Sequence, residues 1–177
     1  MTKGIEMFTN NENILDEYSL EMKYKNEKRR VRVLLPKSYK KTKAKKYPVV
    51  YFHDGQNIFF DEESYSGISW GLLKTIRDNK DLDEFISVGI DNSPARMAEY
   101  SPWDFTFDLD DLDIEKAEGI AYADFVINTV KPFIDRTYRT KKSMKFTYMI
   151  GSSAGANIQP LWGKNTRANL VALASFP

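Results

Sequence analysis

The chain has 177 residues, 42% of them apolar and 14% aromatic, which suits one folded domain (1–177) with its own core. A net charge of +1 gives no general attraction to nucleic acid or anionic membrane, and the lack of cysteine excludes disulfides and thiolate metal sites. No apolar run reaches membrane-spanning length, and the polar, acidic stretch from Met1 to Tyr18 holds no signal-peptide core, so a soluble, cytoplasmic chain is expected.

Residues 18–36 alternate as a hairpin would. Leu20, Met22 and Tyr24 share one face, Val31, Val33 and Leu35 share another, and Asn26-Glu27 turn between them. The lysine-rich stretch from Lys37 to Lys46 lacks an accompanying aromatic or arginine pattern and reads as a solvated connection. Val49-Val50-Tyr51-Phe52 is a short apolar run typical of a strand buried on both faces, and His53-Asp54-Gly55-Gln56-Asn57 follows it as a loop. A helix is predicted from Ser69, as N-cap, to Asp78, with Leu72, Leu73 and Ile76 as its buried stripe. A second buried strand, Phe85 to Ile90, is broken by Asp91-Asn92-Ser93-Pro94.

Residues 104–118 carry many acids but lack the turn glycine of a calcium loop, so they read as a solvated loop near the mouth of a site. The longest predicted helix runs from Gly119 to Tyr138, with Ala123, Val126, Ile127, Val130 and Ile134 at helical spacing and a bend at Pro132. Lys145 to Ile150 is the next strand. Strands alternating with helices imply an α/β fold, a mainly parallel sheet flanked by helices, with an antiparallel start.

That last strand runs into Gly151-Ser152-Ser153-Ala154-Gly155. The pattern Gly-x-Ser-x-Gly after a strand sets the serine on a tight strand-to-helix turn, its hydroxyl raised above the sheet edge. Side chains at positions 151 and 155 would collide with the neighbouring strand and helix. Ser153 is therefore the candidate catalytic nucleophile. A serine is weak without a base to take its proton and an acid to orient that base. Only 24 residues follow Ser153, and none is Asp, Glu or His.

The ordered motifs extend well beyond this pentapeptide. They are Tyr51 to Asn57, Val88-Gly89-Ile90-Asp91-Asn92, Arg96 with Glu99-Tyr100-Ser101-Pro102-Trp103, Lys131 to Asp135 with Tyr138-Arg139-Thr140, and Gly151 to Gly155. From about Lys28 to Gln159 the chain resembles the esterase D-like family of α/β-hydrolases. The resemblance implies a serine hydrolase acting on small-molecule carboxylic esters, with no metal or organic cofactor. It also implies an oxyanion hole made by the backbone N–H of Ala154 and one from Gly55 or Gln56.

His53 and Asp54 fall on the oxyanion side as supporting residues. His53, the only histidine, reads either as a substitute base or as a ring bracing the oxyanion turn. The second is favoured, because a base must reach the serine hydroxyl directly and the family places its base on the opposite side. Arg96 and Glu99 read as a support pair under the active-site loop or as a plain surface ion pair.

After Gln159 the resemblance stops. A helix should continue there, yet Pro160 and Gly163 follow, which cost about 3 and 1 kcal/mol in helix interiors. The atypical tail, residues 160–177, reads as a shifted reading frame. Back-translated with ordinary codons, and with one base restored after Gln159, it becomes Ala-Phe-Met-Gly-Glu-Lys-Tyr-Pro-Ser-Lys-Phe-Gly-Arg-Phe-Gly-Glu-Phe-Ser, a family-like helix and strand. Third codon positions are free in that exercise, whereas the first and second are fixed. The expectation is an esterase-family chain truncated before the last strands of the fold, weak or inactive, and prone to self-association through an exposed sheet edge that Leu170 to Ala174 could cover. Two other readings stay open, a non-catalytic α/β module and a site completed by a second chain.

Overall fold

A computed structural model describes residues 5–8, 14–104, 116–158, 161 and 169–173, giving the strand backbone alone for 5–8 and 169–173. Its seven strands are β1 (Ile5–Phe8), β2 (Ile14–Met22), β3 (Glu27–Leu35), β4 (Val49–Phe52), β5 (Ile86–Ile90), β6 (Thr147–Ser152) and β7 (Asn169–Leu173). They form one sheet in the order β1-β2-β3-β5-β4-β6-β7. The β1–β2, β2–β3 and β3–β5 pairs are antiparallel, whereas β4 pairs in parallel with both β5 and β6, and β6 with β7.

Among the described residues β7 is the last strand, and it takes the edge of β6 that the sequence left for Leu170 to Ala174. The hairpin strand β2 begins at Ile14, earlier than the alternation suggested, and Asn26 closes the turn at φ 55°.

Both faces of the parallel half are covered. Val31, Val33, Val49, Tyr51, Ile86, Val88 and Met149 meet the helical stretch from Gly119 to Thr137 on one side. On the other, Leu34, Phe52, Ile58 and Phe59 meet Trp70, Leu72, Leu73 and Ile76. Apolar residues at every position of a short strand produce this arrangement, because neither face reaches water.

Two sequence expectations need correcting. Helix α1 spans Leu72–Asp78 and starts after Gly71 at φ 68°, with no side-chain cap. Ser69 lies two residues before that cap position and donates its backbone N–H and its hydroxyl to Asp61 Oδ1, at 2.8 and 2.7 Å. The helix expected from Gly119 to Tyr138 is divided into α3 (Gly119–Phe125), a π segment (Val126–Val130) and α4 (Lys131–Thr137). Pro132 donates no N–H, and the widened π segment takes up that defect where a bend was expected. Between them, α2 (Arg96–Glu99) follows β5, and α5 (Ala154–Asn157) follows β6. The acidic stretch lies outside the described residues from 105 to 115, as does most of the tail.

Candidate active site

The site is built where β4, β5 and β6 end side by side. At the end of β6, Ser153 adopts φ 53° and ψ −127°, a strained turn for a side-chain-bearing residue, and its side chain is exposed. The turn is tight enough that a Cβ on Gly151 would lie 2.1 Å from the Gly155 carbonyl oxygen. Ala156 N–H closes the turn onto the Ser153 carbonyl at 2.9 Å.

The loop after β4 packs directly behind this elbow. Asp54 sits at φ 54° and ψ 49°, followed by a single 3-10 turn, Gly55–Asn57. A Cβ on Gly55 would meet the β5 backbone at 2.6 Å, so only glycine lets this loop lie against Gly89 and Ile90. From the other side, a Cβ on Gly155 would come within 3.3 Å of Asp54 Oδ2 and of His53 Cβ. The turn that carries Ser153 and Ala154 thus packs through Gly155 against His53 and Asp54, at the start of the loop that carries Gly55 and Gln56.

One guanidinium ties the two loops together. Arg96 donates through Nε to Asp54 Oδ1 at 2.7 Å and through Nη2 to Asp54 Oδ2 at 2.8 Å. Its Nη2 also reaches the Ser152 carbonyl at 3.4 Å, on the strand that delivers Ser153. Asn92 Nδ2 adds a bond to Asp54 Oδ1 at 2.6 Å, and Asn92 N–H donates to Gln56 Oε1 at 3.1 Å. Glu99, on the same short helix as Arg96, does not pair with it. Glu99 is fully buried and accepts two bonds from Arg29, at 2.7 and 3.0 Å, with Lys25 Nζ at 3.3 Å. The two residues read together as a pair thus belong to two separate clamps, one at each end of α2.

His53 is fully buried. Its Nδ1 shares a 2.9 Å hydrogen bond with the Tyr122 hydroxyl, and its ring packs between Tyr100 and Tyr122 at 5.3 and 5.6 Å. Tyr100 in turn accepts the Asp54 N–H through its hydroxyl. Burial drives the imidazole down to about 4; Asp54 opposes the fall, and Arg96 adds to it. Sequence reasoning gave no role to Tyr100, Tyr122, Asn92 or Arg29. Only Tyr100 and Asn92 stood inside quoted motifs, and nothing local marked the other two.

The His53 environment sets a pH response. The native state keeps the ring neutral, while the unfolded chain takes up a proton below the ordinary value of 6.5. Stability contributed by burying the neutral ring is therefore complete above pH 6.5 and is lost as the pH falls toward 4, to the extent of about 3 kcal/mol. Asp91, whose carboxyl burial pushes up, titrates with the opposite sign, so the comparison needs a variant. Melting of His53→Gln beside the parent between pH 7 and 4.5 should give the flatter profile for the variant. Parallel profiles would remove His53 as the cause.

Among the described residues no group of three or more His, Cys, Asp or Glu could hold a metal ion, and no helix is long and apolar enough to cross a membrane. A cavity of about 220 Å³ lined by Leu34, Ile76, Leu82 and Phe85 opens at the other end of the parallel strands, away from Ser153.

A family model described as putative esterase matches residues 22–159. No curated protein matches the chain. Among solved structures it is similar to an IroE-like serine hydrolase from Shewanella oneidensis, at 23% identity and TM-score 0.65, over 81% of this chain and 44% of that one. An enterochelin esterase from Shigella flexneri matches at 14% identity and TM-score 0.63, over 96% of this chain and 37% of the other. A ferulic acid esterase from the fungus Anaeromyces mucronatus matches at 18% and 0.61, over 97% and 61%. The chain therefore spans less than two thirds of these neighbours' length, and at such identities the likeness is one of fold.

Proposed function

The chain belongs to the putative esterase family and has an α/β-hydrolase fold; from that premise we propose a serine-type site for carboxylic esters, with Ser153 as nucleophile and with no Asp, Glu or His among residues 154–177 to serve it. The observation that carries this reading is the exposed Ser153 at φ 53° beside the Gly55–Asn57 turn. An ester carbonyl set against it would place its oxygen near the N–H of Ala154 and one from Gly55 or Gln56. Each well-placed donor is worth roughly 3 kcal/mol once negative charge develops there. The names of the neighbours, a serine hydrolase, an enterochelin esterase and a ferulic acid esterase, favour carboxylic esters as the substrate class.

Proton removal is where this chain stops. No Asp, Glu or His follows Ser153. His53 is buried, engages Tyr122, and stands as a ring under the oxyanion loop. These facts favour ester binding and polarisation without efficient turnover, which also brings the non-catalytic module into view as the second reading.

The test is p-nitrophenyl acetate hydrolysis by the 177-residue chain beside Ser153→Ala. The two rates should agree within about twofold, the residue of catalysis left when a triad is incomplete being small. Turnover that depends strongly on Ser153 would mean that a base is recruited, and the inactive reading would fail.

A further inference from the structure

The turn that bears the candidate oxyanion donors runs on into a second loop, Asp61 to Trp70, held at both ends. Glu63 accepts from the Arg30 guanidinium at 3.2 Å and from the buried Arg32. Asp61 holds Ser69, as above. Between these anchors Asn57 is the link to the site. Its Oδ1 accepts the Tyr65 N–H at 2.9 Å, and its carbonyl accepts the Trp70 N–H at 2.7 Å. Inside the loop the Ser64 and Ser66 hydroxyls both donate to the Ile68 carbonyl, at 2.7 and 2.9 Å, and Gly67 turns at φ 74°.

This well-fastened loop holds two large apolar side chains in water. Tyr65 is 95% exposed and Ile68 is 72% exposed. Neither belongs to the core clusters on either face of the sheet. A loop that merely connected β4 to α1 would gain stability by turning these side chains inward. Fixing the backbone in advance instead lowers the ordering cost of a ligand that packs on them.

We propose that Tyr65 and Ile68 are specificity-determining residues, a wall that receives a flat aromatic group of the ester bound at Ser153. The proposal rests on the serine-site reading above. The Tyr65 and Trp70 N–H groups both bond Asn57, the next residue after the candidate donor Gln56, which fastens this loop to the turn where the ester would sit. An aromatic ring suits it because Tyr65 offers a π-face for offset or edge-on packing, and Ile68 a non-polar flank. A protein partner suits it poorly. A stable interface buries about 800 Å² on each side, far more than two side chains provide.

The test is binding rather than turnover, in a Ser153→Ala background, by amide chemical-shift titration with phenyl acetate and with cyclohexyl acetate. Phenyl acetate should bind roughly fivefold more tightly. Tyr65→Ala should bring that ratio to about one, whereas Tyr65→Phe should keep it. Since Tyr65 is exposed, neither change threatens the fold. Perturbed amides at Gly55 to Asn57 and at Ser152 to Ala154, with the ratio unchanged in Tyr65→Ala, would overturn the wall and leave the serine site standing. Titrations that perturb neither set of amides would overturn both.

Discussion

Replacing Glu99 by alanine should destabilise the protein by about 3–5 kcal/mol, the usual cost of stripping one partner from a buried ion pair. Glu99 is fully buried, and its partner Arg29 is only 4% exposed at the side chain. Removing the carboxylate leaves that guanidinium inside the protein with the Asp91 carbonyl as its remaining hydrogen-bond partner. Lys25 loses one of its two carboxylates and keeps Glu118. The exposed pair Lys74–Asp78 makes the contrast. It has comparable geometry at 2.9 Å but lies in water, so Asp78→Ala should leave the unfolding midpoint close to that of the parent. Urea unfolding of both variants reads the difference. A Glu99→Ala midpoint no lower than that of Asp78→Ala would refute this account of the clamp.

The effect should also reach the candidate site. Helix α2 has four residues, too few to hold itself by its own hydrogen bonds, so its placement depends on side chains at its two ends. Glu99 fastens one end to β3 through Arg29. Arg96, at the other end, bonds Asp54 and the carbonyl of Ser152. Loosening the Glu99 end therefore frees the guanidinium that holds the loop after β4 beside the Ser153 turn.

How much of this was legible in the sequence depends on how far each feature reaches. The elbow at Ser153 was legible because its geometry is set within five residues, where glycines at 151 and 155 allow the close approach. Strand β4 was legible because apolar residues run through it without a break, and β5 and β6 because apolar residues dominate short runs bounded by turn-forming residues. The clamps were not. Arg29 and Glu99 are 70 positions apart, and Asp54 and Arg96 are 42 apart, so each pair exists only once β3, β4 and α2 have been brought together. Neighbourhood along the chain suggested Arg96 with Glu99 and was misleading. Side chains three apart on a helix are neighbours, yet here each turns to a partner outside the helix, Arg96 to Asp54 and Glu99 to Arg29. Tyr122 was hidden for the same reason, since it reaches His53 from a helix 69 positions away. Ser69 had the composition of a cap, but the helix begins later, after Gly71 in the left-handed region.

Restoring one base after the Gln159 codon should yield a protein whose p-nitrophenyl acetate turnover exceeds that of the 177-residue chain by roughly 10⁴-fold or more, the scale on which triad members act together. Two observations meet at this residue. The motif resemblance ends at Gln159, and the family match covers residues 22–159. Beyond it come a proline and a glycine where a helix should back the nucleophile. Back-translated with ordinary codons and one base restored, the same stretch can be read as a family-like helix, a Lys-Tyr-Pro turn and a strand. The site geometry makes the activity prediction specific. Arg96 already fastens the loop after β4 to the strand that delivers Ser153, and the proposal asks of the restored frame a base that can reach the Ser153 hydroxyl. His53 cannot serve while its ring is buried against Tyr122. The nucleotide sequence is the first measurement, because it must contain a single-base change that opens a frame with a downstream Asp and His. Turnover in the restored protein must then fall to background on Ser153→Ala. A gene without such a frame, or a restored protein no faster than that control, would sink the proposal and leave the chain as a binding module with a serine elbow.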